Sequence, residues 1–403
     1  MAAAIDPAIV AADLSTLIAA GPDETQAQHV VASIAERLGL RAEMHDEDIQ
    51  ALRQAEGYPG EEVERDRLTT VTVTAPGRHD AAPRLCVSGH VDVVPTGEQP
   101  WTTSPFAPRL EGDRIYGRGA ADMKGGVVAA LHALAAITAV MAAPPGEVVL
   151  QSVVAEEDGG LGAFAALRRD ANFAGCVIPE PTSGRLICAH GGALTFTGRI
   201  NGRAAHASDR LAGVSALDRF LPVYRALQDV ERTLNTGVDH PLMRDSLLPY
   251  PLNVGRVSAG DWASTVPDEL VFECRVGVPV GMPAAEVRRL VERTVAETSD
   301  DEAEPPAITW TGGQFEASET PTDHPLVSAV ADAAATVTGI TPAVAGASYG
   351  SDMRLYAAHG IPTVMFGPGD VHQAHATDES TAIAEVVAHA QILAILAAGF
   401  GER

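Results

Sequence analysis

The sequence predicts an α/β fold in which a domain with a mostly parallel central sheet is interrupted by a smaller α+β domain. In the first half, helix-like segments alternate with short apolar runs that end in polar or glycine-rich turns, as in a parallel sheet covered by helices. From about residue 193 the predicted order changes to β-α-β-β-α-β, the split βαβ (ferredoxin-like) motif. After about residue 307 the alternation of helix and strand resumes.

The predicted elements follow this division. The first half contains a helix at 24–39 and strands at 68–75, 84–88 and 147–155. The middle contains strands at 193–200, 252–258, 269–277 and 307–311 and helices at 214–234 and 283–298. The last part contains a helix at 325–337, a strand at 361–366 and a closing helix at 379–399. We therefore predict one discontinuous domain, residues 1–192 and 308–403, and an inserted domain at 193–307.

The longest apolar run, 126–143, approaches the length of a membrane span. Alanine dominates it, His132 and Thr138 interrupt it, and two prolines end it, so a core helix is the better interpretation. The first twenty residues have no basic segment, which disfavours a secretory signal. We expect no membrane partner.

Charge and cysteine content narrow the class further. The chain has 53 acidic and 28 basic side chains and a formal net charge of −25, which would repel a phosphate backbone and makes nucleic acid an improbable partner. Its four cysteines lie in β-like apolar stretches without CxxC spacing. This pattern is typical of buried, reduced thiols in a cytoplasmic protein.

Five short segments place acidic and imidazole side chains at predicted strand ends or in loops. They are Gly89–Asp92, Gly119–Gly126, Glu156–Asp158, Pro179–Thr182 and His375–Glu379. Each alone has an ordinary structural explanation, such as a solvated loop carboxylate. Together they supply two histidines and three or four carboxylates, the ligand set of a two-zinc hydrolytic site.

Charge supports two metal ions. Two Zn²⁺ bring +4, while Asp122, Glu157 and Glu180 bring −3, so one bridging hydroxide makes the centre neutral. A single metal ion would leave surplus negative charge in a partly dry cleft.

These residues stand in an order that resembles a known family. The series GHVDVVP, YGRGAADMKGG, EEDGG, PEPT, GRAAHAS and AHATDES is similar to the metallopeptidase and deacylase family of acetylornithine deacetylase, succinyl-diaminopimelate desuccinylase, aminoacylase-1 and glutamate carboxypeptidase. The resemblance covers about residues 24–395. It implies that the larger domain is a zinc-hydrolase catalytic domain and that the inserted one is a lid and dimerisation domain.

The resemblance also implies roles for the acids and histidines. His90 and Glu180 would bind one zinc ion and Glu157 and His375 the other, with Asp122 bridging both. Cobalt is expected to substitute for zinc in such a site. Glu156 would act as general base and acid, and Asp92 would orient the His90 imidazole.

Four further residues are candidates for substrate contact. The resemblance implies that His206 in the lid stabilises the oxyanion and, in a homodimer, reaches the partner's zinc site. Arg354 matches the family's carboxylate-binding arginine, and Arg275 is a second candidate, for which a structural role is the alternative. Ser264 stands where many relatives have asparagine in a G-G-x-x-x-N-x-V-P loop.

The function expected from these residues is hydrolysis of a small acyl group from an N-acyl amino acid or close analogue. Alternatives are a carboxypeptidase or dipeptidase, a deformylase, because the 260–267 loop is similar to relatives that act on formylaminopyrimidines, and a non-catalytic metal-binding relative. The intact Glu156 argues against the last.

Overall fold

The structure is a computed structural model that describes residues 5–79, 81–141, 143–299 and 304–401. Within these residues the α-helices are α1 (Pro7–Ala19), α2 (Glu24–Arg37), α3 (Ile49–Arg53), α4 (Gly125–Met141), α5 (Leu161–Arg169), α6 (Ala216–Asn235), α7 (Ala284–Ala296), α8 (Pro325–Thr338), α9 (Met353–Ala358) and α10 (Ile383–Gly399). The strands are β1 (Arg41–Asp46), β2 (Thr69–Ala75), β3 (Leu85–His90), β4 (Arg109–Glu111), β5 (Arg114–Tyr116), β6 (Val148–Val153), β7 (Gly175–Pro181), β8 (Leu186–His190), β9 (Gly192–Asn201), β10 (Leu252–Ala259), β11 (Glu269–Val278), β12 (Ala307–Phe315), β13 (Ser318–Glu319), β14 (Val344–Ala347), β15 (Thr363–Gly367) and β16 (Ser380–Ala382).

A nine-stranded mixed sheet forms the centre of the larger domain. Its order is β1-β2-β6-β3-β7-β15-β8-β13, and β14 pairs with β8. The four central strands β6, β3, β7 and β15 are parallel to one another, whereas β1, β2 and β13 pair antiparallel. The carboxyl ends of the parallel strands therefore meet at one edge of the sheet, where α/β proteins usually build their sites.

Helix α4 lies in the core of this domain and packs against α10. Among the described residues one helical segment, Ala120–Met141, is long and apolar enough to cross a membrane by length and composition, and 78% of its most apolar window is buried inside the protein. The core-helix interpretation thus agrees with the packing. The four cysteines are buried and free.

The smaller domain contains a four-stranded antiparallel sheet in the order β10-β11-β9-β12, with α6 and α7 packed together on it. Its apolar core is separate from that of the larger domain and includes Phe196, Phe220 and Phe272. The β-α-β-β-α-β order agrees with the sequence, and the division into two independently folding domains stays a prediction.

The last strand of this sheet is longer than the sequence pattern indicates. The strand predicted at 307–311 runs to Phe315, past the predicted boundary at 307. A register shift between Trp310 and Gln314, where two glycines lie, breaks the alternation of buried and exposed residues that would have revealed its end. The predicted helix at 379–399 likewise begins at Ile383, because residues 380–382 form β16 and pair with β5.

Candidate metal centre and active site

The candidate ligands converge because of where their strands end. His90 closes β3, Glu157 follows β6, and Glu180 lies near the end of β7, all at the carboxyl edge of the parallel strands. Asp122 lies in the turn that leads into α4, and His375 lies in the loop after β15. Five residues that are far apart in sequence thus meet at one edge of the sheet.

They form two groups of potential ligand atoms, His90–Asp122–Glu180 and Asp122–Glu157–His375, with all atoms of a group within 4.8 Å of one another. His90 Nε2 lies 3.3 Å from Asp122 Oδ1 and 3.7 Å from Glu180 Oε1. His375 Nε2 lies 3.1 Å from Glu157 Oε2 and 3.6 Å from Asp122 Oδ2. The two oxygens of Asp122 therefore face different histidines, which is the arrangement of a bridging carboxylate.

The donor set fits a pair of metal ions. The Nε2 atom of His90 is buried and has no hydrogen-bond partner, a costly state that a metal ion would relieve. Burial raises the pKa of Glu157 and Glu180, and the negative charge of Asp122 raises both further. Two imidazoles and three carboxylates are the donors that zinc prefers in hydrolytic sites.

Asp92 contacts residues of both groups. Its backbone oxygen lies 3.1 Å from His90 Nδ1, its carboxylate lies 3.4 Å from the same nitrogen, and its Oδ2 accepts the Glu157 N–H at 3.1 Å. An acceptor on Nδ1 leaves Nε2 free to bind a metal ion. The predicted orienting role of Asp92 fits this geometry and stays a prediction.

Glu156 lies beside the two groups without belonging to either. Its Oε2 is 4.0 Å from His90 Nε2, and the side chain is buried at the floor of the cleft. Burial, reinforced by the negative charge of Asp352, raises the pKa of Glu156 well above its usual range. A buried carboxyl group beside the candidate ligands is suited to proton transfer.

A cleft of about 680 Å³ lies over these residues and has walls from both domains. The larger domain contributes Glu62 and Tyr349, and the smaller domain contributes Asn253 and Arg275. The cleft is large enough for a small-molecule substrate.

A family model described as peptidase family M20/M25/M40 matches residues 86–398. The chain belongs to this family. The family and the fold class predicted from the sequence are thereby confirmed, and the chain is an M20-family hydrolase with a candidate metal-binding group.

Several relatives show the range of the family. The N-formyl-4-amino-5-aminomethyl-2-methylpyrimidine deformylase of Bacillus subtilis (strain 168) is 28% identical over 338 residues, which cover 77% of each chain. An acetylornithine deacetylase of Yersinia pseudotuberculosis is 30% identical over 309 residues, which cover 73% of each chain. The crystal structure of Bacillus subtilis YxeP, a dinuclear metal binding peptidase of the M20 family, superposes with a TM-score of 0.64 at 17% identity and covers 98% of this chain and 99% of that one.

Arg354 of this M20 hydrolase does not line the cleft. Its guanidinium is buried and donates to the carbonyl oxygens of Gly159 at 2.6 Å and Ser351 at 3.0 Å, with Asp352 3.7 Å away and the Phe315 ring 3.9 Å below. These contacts occupy the guanidinium with acceptors of the protein itself. They connect α9 with the turn that follows Glu156 and Glu157.

Arg275, unlike Arg354, lines the cleft. It is half-buried in the cleft wall, and its guanidinium has no hydrogen-bond or ion-pair partner among the described residues. Its neighbour across the β10–β11 pair is Asn253, which lines the same wall. Arg256 also lines the cleft, but it pairs with Glu273 at 3.0 Å.

His206 and Ser264 lie together on the smaller domain, outside the cleft of their own chain. A bridge pairs His206 with Thr265, and the Ser264 carbonyl accepts the Ala207 N–H at 2.9 Å. Both side chains are exposed, and His206 Nδ1 contacts Ser208, its Oγ at 2.7 Å and its backbone N–H at 3.2 Å. The fold thus brings the five ligands, Glu156 and Asp92 together but leaves these two residues elsewhere.

Sequence reasoning missed several lining residues, among them Glu62, Asn253 and Tyr349. Asn253 carried a signal, because a polar residue within a predicted strand of apolar alternation points to a wall rather than to the core. Glu62 and Tyr349 lie in irregular segments, where no periodic pattern distinguishes them.

Proposed function

We propose that this chain is a dizinc amidohydrolase that removes a small acyl group from an N-acyl amino acid or a close analogue. The observation that carries the proposal is the division of the Asp122 oxygens between the two histidines, with Glu156 beside them. His90, Glu180, Glu157 and His375 would hold two zinc ions, with Asp122 between them. When bound, the ions supply Lewis acidity and lower the pKa of water.

The side chains of the protein then divide the remaining work. Glu156 accepts the proton of the attacking water and returns it to the leaving amine, because its buried carboxyl holds protons more tightly than an exposed one. Arg275 binds the substrate carboxylate from the opposite wall with two parallel hydrogen bonds. Arg354 holds the turn after Glu156 in place through the Gly159 carbonyl.

We further propose a homodimer in which His206 acts in the partner's site. The exposure of His206 and its separation from the cleft of its own chain support this proposal. Helix α6 also exposes Leu217, Leu221 and Tyr224 along one face, and the adjoining strand β10 is a sheet edge. A second copy would cover both features.

A second candidate function is deformylation of an aminopyrimidine-like amide. The 28% identity to the Bacillus subtilis deformylase and the Gly260–Pro267 loop favour it. Such a substrate lacks the carboxylate that Arg275 would bind. Only the first candidate function therefore requires Arg275 for substrate binding.

One substrate panel tests both candidates. Acetyl, formyl and succinyl amides of amino acids, a formylated aminomethylpyrimidine and several dipeptides are each assayed with zinc, with cobalt and with a chelator. Chelator-sensitive turnover of N-acyl amino acids is the expected result. Turnover of dipeptides alone would replace the proposal with a dipeptidase, and metal binding without turnover of any amide would refute catalysis.

A further inference from the structure

Glu379 is a fully buried carboxylate that the proposed chemistry does not use. Its Oε1 accepts the N–H groups of Ala121 at 2.8 Å and Asp122 at 3.0 Å. Its Oε2 accepts the Gly119 N–H at 3.0 Å and the Arg118 Nη1 at 2.8 Å. Both oxygens are thus occupied by donors, and three of the four donors are backbone amides of the turn that carries Asp122.

Arg118 extends this contact to a second ligand. The side chain is buried, its Nη1 donates to the Ala376 carbonyl at 3.2 Å, and its Nη2 lies 3.4 Å from the His375 carbonyl. The Glu379–Arg118 pair therefore joins the Asp122 turn to the His375 loop. These two segments carry two of the three ligand residues of the second group.

We propose that Glu379 is a positioning residue for the metal centre. Its carboxylate fixes the backbone of Asp122 so that the two oxygens face different histidines, and through Arg118 it fixes the loop that presents His375. The need for fixation is greatest on this side, because the His375 side chain is 55% exposed whereas that of His90 is 1% exposed. The proposal rests on the metal-binding part of the proposed function and on no choice of substrate.

The competing explanation is an ordinary buried ion pair that stabilises the fold. Asp13 offers a matched comparison, because it is also a buried carboxylate with an arginine partner, Arg37, and it contacts His132 at 2.8 Å. It lies on α1 and does not line the cleft. Replacing Glu379 by its amide leaves the buried Arg118 without its counter-charge, and replacing Asp13 removes the counter-charge of the half-exposed Arg37.

The test compares Glu379→Gln with Asp13→Asn as metal-free proteins. Zinc affinity is measured by competition with a chromophoric chelator, and thermal unfolding is followed on the same samples. Both variants should lose thermal stability, but only Glu379→Gln should lose zinc affinity, by roughly 10–100-fold. Equal zinc affinity of Glu379→Gln and wild type would overturn the positioning role.

A second variant keeps the test decisive if Glu379→Gln does not fold. Arg118→Gln leaves the carboxylate with its three amide donors and removes the connection to the His375 loop. It should weaken one of the two zinc-binding steps at least about tenfold and leave the other near the wild-type value. Unchanged binding at both steps would overturn the proposal, whereas a wild-type protein that binds no zinc would overturn the proposed function along with it.

Discussion

The edge of the central sheet and the His206 loop of the smaller domain both carry candidate catalytic residues, but they differ in how far the surrounding protein buries and holds them. At the sheet edge, strand ends and backbone amides hold buried acids and one buried histidine close together. On the smaller domain, the His206 side chain is exposed, and its hydrogen bonds among the described residues are with Ser208 of its own loop. A residue without such support in its own chain needs a second surface to become part of a site.

The largest expected effect on turnover comes from replacing Glu156, a buried residue at the edge of the central sheet. Glu156→Ala should lower turnover by about 10²–10⁴-fold or more, because it removes the group that transfers the proton. Zinc content, measured by metal analysis, should stay at two ions per chain. Glu286→Ala, which removes an exposed carboxylate of α7 that does not line the cleft, is the control and should keep its activity. Loss of metal from Glu156→Ala would indicate that Glu156 is the metal ligand and Glu157 the proton-transfer group.

The exposed side is tested by His206→Ala, which should lower turnover by roughly 10²–10³-fold if this imidazole stabilises an oxyanion. Mixing it with Glu156→Ala and reassembling the dimers should restore activity, because one site of each mixed dimer then has both residues intact. Random pairing gives about a quarter of wild-type activity. No recovery after demonstrated subunit exchange would show that His206 does not act in the partner.

Replacing Arg275, which lines the cleft, and Arg354, which is buried, should have different effects on substrate recognition. Arg275→Met should lower kcat/KM for N-acyl amino acids, with a loss of about 2–4 kcal/mol in transition-state stabilisation. N-acyl amines without a carboxylate should be nearly unaffected. Arg354→Met should affect both substrates alike, because its partners are backbone carbonyls of the protein. The reverse pattern would return the carboxylate-binding role to Arg354.

The smallest expected effect concerns stability in acid. Burial lowers the pKa of His389 to about 4. Between pH 6.5 and 4, His389 is therefore protonated in the unfolded chain and neutral in the folded chain. The free energy of unfolding should therefore fall as the pH falls through this window, by up to about 3 kcal/mol from this residue. Urea titrations at several pH values should show a shallower decline for His389→Gln. His206→Gln, at an exposed position, should decline as the wild type does, and an equal decline in both variants would contradict the prediction.

Much of the site could be predicted from the sequence because its geometry follows from chain order. Apolar runs that end in His90, Glu157 and Glu180 predict parallel strands, and parallel strands bring their carboxyl ends to one edge. The ordered motifs supplied the family and, through the resemblance, the roles. The roles of individual residues stay predictions until the variants are measured.

Other features depended on contacts between distant segments. Arg354 faces inward because the Gly159 carbonyl lies within 2.6 Å of it, and no local pattern encodes that approach. The same holds for Glu379, whose amide partners lie more than 250 positions earlier in the chain. Local sequence determined which residues stand at strand ends, whereas only the tertiary structure decided where each long side chain points, because that direction is set by donors and acceptors that folding brings together.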